Sequence, residues 1–199
     1  MAPTPFDTER LRVRPFVPED VDWLIELDGD LEVMRYITGE ITPPDEVRRI
    51  HPLVIGMYDT YAEQGHPEMG TVAVDRRDTG SPIGWITFKP LRDLDHVEIG
   101  WRFLRASWGH GFATEAAKGR IERAFATGEV DQVIAIIDPP NVRSARVAQK
   151  LGMRCIGNAR YQKWDVDVWV VRADGAPVTA LEGLELRPAR GPLADPSKA

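Results

Sequence analysis

The 199-residue chain carries one cysteine, Cys155, so no intramolecular disulfide can form within it. That scarcity fits a reducing, cytoplasmic setting. Cys155 follows a helical pattern and precedes an apolar residue, which reads as a structural thiol and not as a nucleophile. Histidine is scarce as well. Four scattered residues and no Cys/His cluster leave no zinc site, and no metal is expected. No apolar run approaches the ~20 residues that span a bilayer. Met1 to Pro5 has no basic region leading into an apolar run, so no signal peptide is expected. Positive charge is in deficit, with 25 Lys and Arg against 31 Asp and Glu and a net charge of -6. This excludes general binding to nucleic acid or membrane surfaces, but not a locally basic pocket.

What is present is 43% hydrophobic residues, enough for one sizeable core. Leu11 to Phe16 alternates as a strand and ends at Pro15. Pro18, Glu19 and Asp20 suit the first turn of a helix that carries Val21, Leu24, Ile25 and Leu27 at helical spacing. Asp45 to Glu63 reads as a second helix, closed by Gly65-His66-Pro67. Thr71 to Asp75 and Ile83 to Phe88, joined through Asp78-Thr79-Gly80, form a hairpin, to which the strand from Val97 adds a third member. Gln132 to Ile137 is almost continuously apolar, as in a strand buried on both faces. Asn141 is a good N-cap for a helix over Val142 to Leu151, and Gly152 closes it. Late strands are expected around Arg154 to Asn158 and Asp167 to Val171. From Ala173 to Ala199 the chain turns rich in Pro, Gly and Ala. This reads as a mobile tail that adds little to the core, with one short surface strand through Leu181, Leu184 and Leu186 left open. The body is therefore residues 1–172 and the tail 173–199. Interleaved strands and helices indicate an α/β or α+β sheet with helices on both faces.

The chain is organised around residues 98–152. A strand over Val97 to Leu104 runs into Trp108-Gly109-His110-Gly111-Phe112-Ala113-Thr114-Glu115-Ala116, and a helix over roughly Ala113 to Ala126 leaves it, stopped at Gly128. Two glycines and a small alanine leave little bulk over the helix N-terminus. Its free amides and the positive end of its dipole make an anion site there, with a diphosphate as the obvious guest. No Gly-Lys-Ser/Thr follows, as a P-loop would require, and the three-glycine dinucleotide pattern is incomplete.

The run resembles the acyl-CoA pyrophosphate loop of the GNAT N-acetyltransferase superfamily, Gln/Arg-x-x-Gly-x-Gly/Ala, with Trp108 in place of Gln or Arg. That replacement is similar to the Rim-type ribosomal-protein acetyltransferase branch, where Trp-Gly-x-Gly-Tyr-Ala-Thr-Glu-Ala is typical. Thr8-Glu-Arg-Leu-Arg-Val-Arg-Pro with Pro18-Glu-Asp resembles the opening of the same branch, about a hundred residues away. The resemblance covers roughly residues 6–172. It implies the GNAT fold, a mixed, mostly antiparallel sheet of about seven strands with helices on both faces. It also implies acetyl-CoA or another acyl-CoA as cosubstrate, held by Trp101, Phe103, Gly109, His110, Gly111, Phe112, Ala113, Thr114, Asn141 and Ser144. Asn141-Val-Arg-Ser144 followed by Lys150-Leu151-Gly152 looks like the family's second cofactor segment. There Asn141 would bond the pantetheine arm, and Ser144 would sit near the thioester sulfur as a ligand or proton donor. Many members use a tyrosine for that proton, and Tyr161 is the nearest later one here.

Parity on the central strand places Val97, Ile99, Trp101 and Phe103 on one face and His96, Glu98, Gly100 and Arg102 on the other. A carboxylate on an internal strand needs a reason. One is a wet sheet face or a salt bridge with Arg102. The other is a cleft in which Glu98 acts as general base on an ammonium acceptor, its pKa lifted from ~4.3 by desolvation. A glutamate at this place often has that role in similar acetyltransferases. Arg105, Lys118, Arg143 and Arg146 are candidates for phosphate neutralisation with a solvated role equally open. Trp164 and Trp169 read as core or rim packing. Two functions of different class follow. One is an acyl-CoA-dependent N-acyltransferase acting on a primary amine (a protein N-terminus, a lysine or a small amine) by direct attack in a ternary complex. The other is a non-catalytic acyl-CoA-binding sensor, which would need neither Glu98 nor Ser144. A nucleotide-phosphate binder on an unrelated fold is a distant third, and a homodimer is left open.

Overall fold

The computed structural model describes residues 1–91, 94 and 96–188, so the part of the expected tail beyond residue 188 lies outside the described residues. Thirteen helices and strands follow in the order β1 (Phe6–Asp7), β2 (Leu11–Pro15), α1 (Val21–Asp28), α2 (Leu31–Met34), α3 (Pro44–Glu63), β3 (Gly70–Arg76), β4 (Pro82–Pro90), β5 (Val97–Phe103), α4 (Phe112–Thr127), β6 (Gln132–Ile137), α5 (Val142–Lys150), β7 (Arg154–Tyr161) and β8 (Trp164–Arg172). The strands form one 8-stranded sheet in the order β1-β2-β3-β4-β5-β6-β8-β7. Every neighbouring pair is antiparallel except β5 and β6. This is the expected mixed, mostly antiparallel sheet, with the two-residue β1 as an edge strand that periodicity could not show.

Side-chain parity distributes the core. Ile99, Val133, Ala135 and Trp169 face one side of the sheet, where Ala117, Ile121 and Ala124 of α4 and Ala145 and Ala148 of α5 cover them. Small residues on both helices let their backbones lie close to the strands. On the opposite side Phe16, Leu24, Leu27, Val33 and Val47 pack over Ala73 and Trp85, so α1, α2 and α3 cover the β3–β4 half. The far half needs its own cover, because β6 also turns Ile134 and Ile136 to that side, as β8 does Val166, Val168 and Val170. The C-terminal segment supplies it. Leu181 is only 6% exposed, and Val178, Leu184 and Leu186 pack around it. Backbone bonds from Asn158 N to Arg187 O at 3.0 Å and from Arg187 N to Asn158 O at 2.7 Å fasten it to β7. The expectation that everything after Arg172 adds little to the core is thereby corrected for residues 178–187. Composition misleads there because a single well-placed leucine buries more apolar surface than a Pro/Gly/Ala-rich stretch advertises.

Candidate functional site

Between the two covers the middle of the sheet is open. Strand β5 is registered with β4 along its whole length, from Gly84↔Phe103 to Pro90↔Val97. With β6 it is registered only at Glu98↔Ile134. Beyond that pair the two parallel strands splay, and the β6-facing backbone edge of Gly100 to Phe103 has no registered partner among the described residues. Two cavities meet at this splay. The first, of about 390 Å³, is lined by Trp101, Phe103, Trp108, Gly109, Gly111, Phe112, Ala113 and Thr114, and by the α5 residues Arg143, Ser144, Arg146 and Lys150. The second, of about 460 Å³, lies over Trp85, Thr87, Lys89, Glu98, Gly100 and Arg102, with Asp138 and Trp164 on its far wall. Tyr36, Ile37, Trp101, Arg102, Asn141 and Ser144 line both.

The loop entering α4 explains the first cavity. Gly109 and Gly111 take φ values of 81 and 82, in the left-handed region that only glycine enters cheaply. The chain therefore turns tightly around His110 before α4 begins at Phe112. None of the amides from Gly109 to Thr114 donates a hydrogen bond among the described residues, and Glu115 N is the first to find a helical partner, Gly111 O at 3.0 Å. This is an anion seat at the positive end of a 16-residue helix. Trp108 anchors the loop, its indole N–H donating to Phe103 O at 2.8 Å while the Arg143 guanidinium lies 4.8 Å over its ring.

The basic candidates sort themselves. Arg105 pairs with Asp30 at 3.0 Å and Lys118 with Glu122 at 3.6 Å, and neither lines the cavity. Arg143, Arg146 and Lys150 sit at i, i+3 and i+7 of α5, line the cavity, and have no carboxylate partner among the described residues. Lys150 escaped the sequence analysis as a candidate cation. Its period with Arg143 and Arg146 was the available signal. Asn141 caps α5, its Oδ1 accepting from Ser144 N at 3.1 Å. The Ser144 hydroxyl lies in the lining shared by the two cavities and has no hydrogen bond among the described residues.

In the second cavity the floor is one face of β4 and β5, with Trp85 opposite Arg102, Thr87 opposite Gly100 and Lys89 opposite Glu98. A Cβ on Gly100 would lie 2.8 Å from Thr87 Cγ2, so this position stays small. The salt-bridge explanation for Glu98 does not hold. Arg102 Nη1 donates instead to Asp28 Oδ1 at 2.6 Å, and its guanidinium lies 4.7 Å over the Trp85 ring. Glu98 has neither a hydrogen bond nor an ion pair among the described residues. Burial pushes its carboxyl above the ordinary range, and the Lys89 charge across the strand offsets part of that rise. Asp138 is pushed up in the same way, by burial first and then by the charge of Asp167.

Other candidates fall elsewhere. His110 is exposed and lines neither cavity; its ring stacks on Phe112 at 5.6 Å. Tyr161 packs against the cluster under the C-terminal segment and is not among the residues lining either cavity. Trp169 is core at 5% exposure, whereas Trp164 forms cleft rim at 46%. The tyrosine at the junction is Tyr36, which follows α2 in a stretch with no periodicity. No sequence signal marked it.

The architecture is that of an acetyltransferase. The family model for the Acetyltransferase (GNAT) domain matches residues 10–154, and the chain belongs to that family. It is an N-acetyltransferase. YkkB of Bacillus subtilis is 31% identical over 172 residues, covering 85% of this chain and 95% of that one. The uncharacterized N-acetyltransferase p20 of Bacillus licheniformis is 30% identical over 158 residues, covering 78% of this chain and 86% of its own. Among solved structures, the GNAT-family acetyltransferase from Bacillus anthracis superposes with a TM-score of 0.73 at 24% identity, over 86% of this chain and 99% of that one. Mycobacterium smegmatis RimJ in complex with CoA-disulfide superposes with a TM-score of 0.69 at 18% identity, over 84% of each chain. Among the described residues, no helix is long and apolar enough to cross a membrane.

Proposed function

We propose that the chain transfers the acetyl group of acetyl-CoA to a primary amine by direct attack in a ternary complex. The observation that carries this reading is the junction of the two cavities at the splay of β5 and β6. One cavity ends in an amide-lined anion seat, and the other holds a half-buried carboxylate, Glu98, with no partner among the described residues. Acetyl-CoA would lie in the first, its diphosphate on the Gly109–Thr114 amides and its pantetheine along the open edge of β5 beside Trp101, Phe103 and Asn141. The acceptor would enter over Trp85, Lys89 and Trp164. Glu98 takes a proton from the acceptor ammonium, directly or through a water, and the freed amine attacks the thioester carbonyl. The C–N bond forms, the C–S bond breaks, and the departing thiolate takes a proton from a hydroxyl at the junction. The second proton that the attacking nitrogen loses as it becomes the amide returns to that hydroxyl, directly or through water. Ser144 is the candidate from sequence, and Tyr36 lines both cavities with it. Holding both reactants in one slot supplies much of the rate, and no covalent enzyme intermediate is needed.

The likeness to RimJ and to the Rim-type motif favours the α-amine of a protein N-terminus as the first acceptor to test, with lysine and small amines beside it. The lone cysteine fits a cytoplasmic place of work. The experiment is thiol release from acetyl-CoA in the presence of N-terminal peptides, lysine peptides and small diamines. Turnover with one class supports the reading. Tight acetyl-CoA binding with no turnover on any amine would replace it with the non-catalytic acyl-CoA sensor.

A further inference from the structure

The anion seat is made by a loop that glycine leaves free to rearrange. In a planar trans peptide the carbonyl and the N–H point in opposite directions, so the His110 carbonyl and the Gly111 N–H report on one another. With glycine at Gly111, a flip of that peptide costs little backbone energy. The flipped form would aim a carbonyl oxygen at the diphosphate and turn one amide away. Something has to hold the peptide.

The holder lies outside the cavity. Arg10, the residue before β2, donates from Nη1 to His110 O at 3.0 Å, which pins that carbonyl on the side away from the seat. Arg10 is itself fixed on Glu115 in the first turn of α4. Its Nε donates to Glu115 Oε2 at 2.7 Å and its backbone N to Glu115 Oε1 at 2.8 Å, and Thr8 Oγ1 donates to the same Oε1 at 2.6 Å. The Phe112 ring lies 4.7 Å beneath the guanidinium. Arg10 lines neither cavity, so it works from behind the loop. A carboxylate four residues into α4 would otherwise repel a diphosphate. Here its charge is taken up by Arg10, and against a burial that raises it, the Thr8 and Arg10 bonds hold the Glu115 carboxyl below the usual range.

We propose that Arg10, locked on Glu115 and Thr8, is a positioning residue that fixes the His110–Gly111 peptide so that the loop amides face the diphosphate. The inference rests on the reading that this loop binds acetyl-CoA. It assigns a role to residues that touch neither substrate.

The test measures acetyl-CoA affinity by calorimetry, steady-state KM and kcat, and melting temperature on the full chain with Arg10→Ala, Arg10→Lys, Glu115→Gln and Gly111→Glu. Arg10→Ala should raise the KM and Kd for acetyl-CoA about tenfold, near 1.4 kcal/mol, while kcat at saturating acetyl-CoA and the acceptor KM stay within twofold. Arg10→Lys should not restore affinity, because an ammonium cannot bond Glu115 and His110 O together as the guanidinium fork does. Glu115→Gln carries the same expectation as Arg10→Ala in weaker form, and serves if Arg10→Ala does not fold. A lower melting temperature with unchanged acetyl-CoA KM would make the cluster merely structural and overturn the proposal. Full affinity in Arg10→Lys would overturn it too, by showing that charge alone suffices. Gly111→Glu separates the two levels. If it leaves affinity intact, the loop reading itself fails; if it weakens binding while the Arg10 variants do not, only the positioning role fails.

Discussion

Replacing Glu98 with glutamine should slow the enzyme and stabilise it at the same time. Glu98 lies on the cleft floor with no hydrogen bond or ion pair among the described residues, and burial holds its carboxyl above the ordinary range. A carboxyl that is harder to ionise folded than unfolded binds more protons in the native state across the window between its two pKa values. Stability is then fully present below the unfolded value and declines as pH rises through the folded one. At neutral pH the ionised Glu98 is therefore a cost to the fold. Each tenfold change in its ionisation constant corresponds to about 1.4 kcal/mol. In a domain of this size about 1 kcal/mol moves the melting temperature by roughly 2–4 °C. Glutamine keeps the shape and removes the charge, so Glu98→Gln should melt a few degrees higher at pH 7.5 and no higher at pH 4.

The same substitution removes the group proposed to take the acceptor proton. Such a loss costs on the order of 10²-fold in kcat/KM for the amine, while acetyl-CoA affinity should stay within twofold. Raising the pH should recover part of the rate, because more of the acceptor is already neutral. The assay pairs scanning calorimetry at two pH values with a thiol-release pH profile of wild type and variant. A fall in melting temperature together with the loss of activity would mean that Glu98 is structural. Full activity across the pH range would mean that the proton leaves by another route.

Three further outcomes follow from the same geometry. Lys89→Met removes the charge that offsets the rise of Glu98, so the acid limb of the kcat/KM profile should move to higher pH; an unmoved limb would separate Glu98 from that limb. Leu181→Ala should cost about 2–3 kcal/mol and lower the melting temperature by roughly 5–10 °C, because this side chain seals the β6–β8 face; an unchanged value would show that the C-terminal cover is dispensable. Gly100→Ala should reduce turnover more than acetyl-CoA binding, since its Cβ would meet Thr87 Cγ2 at 2.8 Å on the acceptor floor; acceptor KM and kcat that both match wild type would count against that floor.

The segment from β5 to α5 was legible because every signal in it is local. Alternation in Val97 to Phe103, a glycine turn, an alanine-rich helix, an apolar strand and an Asn cap each act within a few residues, and the structure repeats them within a residue or two. The parity of β5 was equally plain, although it left open whether the face that carries Glu98 lines a cleft or is a wet or salt-bridged sheet face. What the sequence hid depends on contacts far along the chain. The four-residue α2 is too short for a period, so Tyr36 carried no mark. The two stretches that suggested the family, around Thr8 and around Glu115, looked like independent matches. In the structure they are one hydrogen-bonded cluster. The double burial of β6 did imply a cover on each face. Helices α4 and α5 cover one face of β6, α1 to α3 lie over β3 and β4 on the other, and the missing cover is the segment that composition had set aside as a tail.

An acidic protein can bind a polyanion if its cations are sorted rather than numerous. Much of the positive charge here is spent on structure. Arg14 bridges Asp20 at 2.7 Å and Asp75 at 2.6 Å, Arg120 holds Glu129 at 2.8 Å, and Arg102 holds Asp28 at 2.6 Å. The α5 stripe of Arg143, Arg146 and Lys150 has no carboxylate partner among the described residues and lies on the wall of the cavity that ends in the Gly109–Thr114 amides. At physiological ionic strength charges separated by more than about 8 Å are largely screened. A net charge of -6 spread over the whole surface therefore opposes an anion in that cavity far less than three adjacent cations attract it. The second cavity is built the other way. Glu98 and Asp138 in its lining have no ion-pair partner among the described residues, Arg35 and Arg102 there are held by Glu32 and Asp28, and Lys89 lies opposite Glu98, so the cavity would suit an incoming ammonium. The splay of one parallel strand pair thus joins a cavity that suits an anion to one that suits a cation, and on the proposed reading Glu98, in the second, takes the proton that must leave the amine before it can attack.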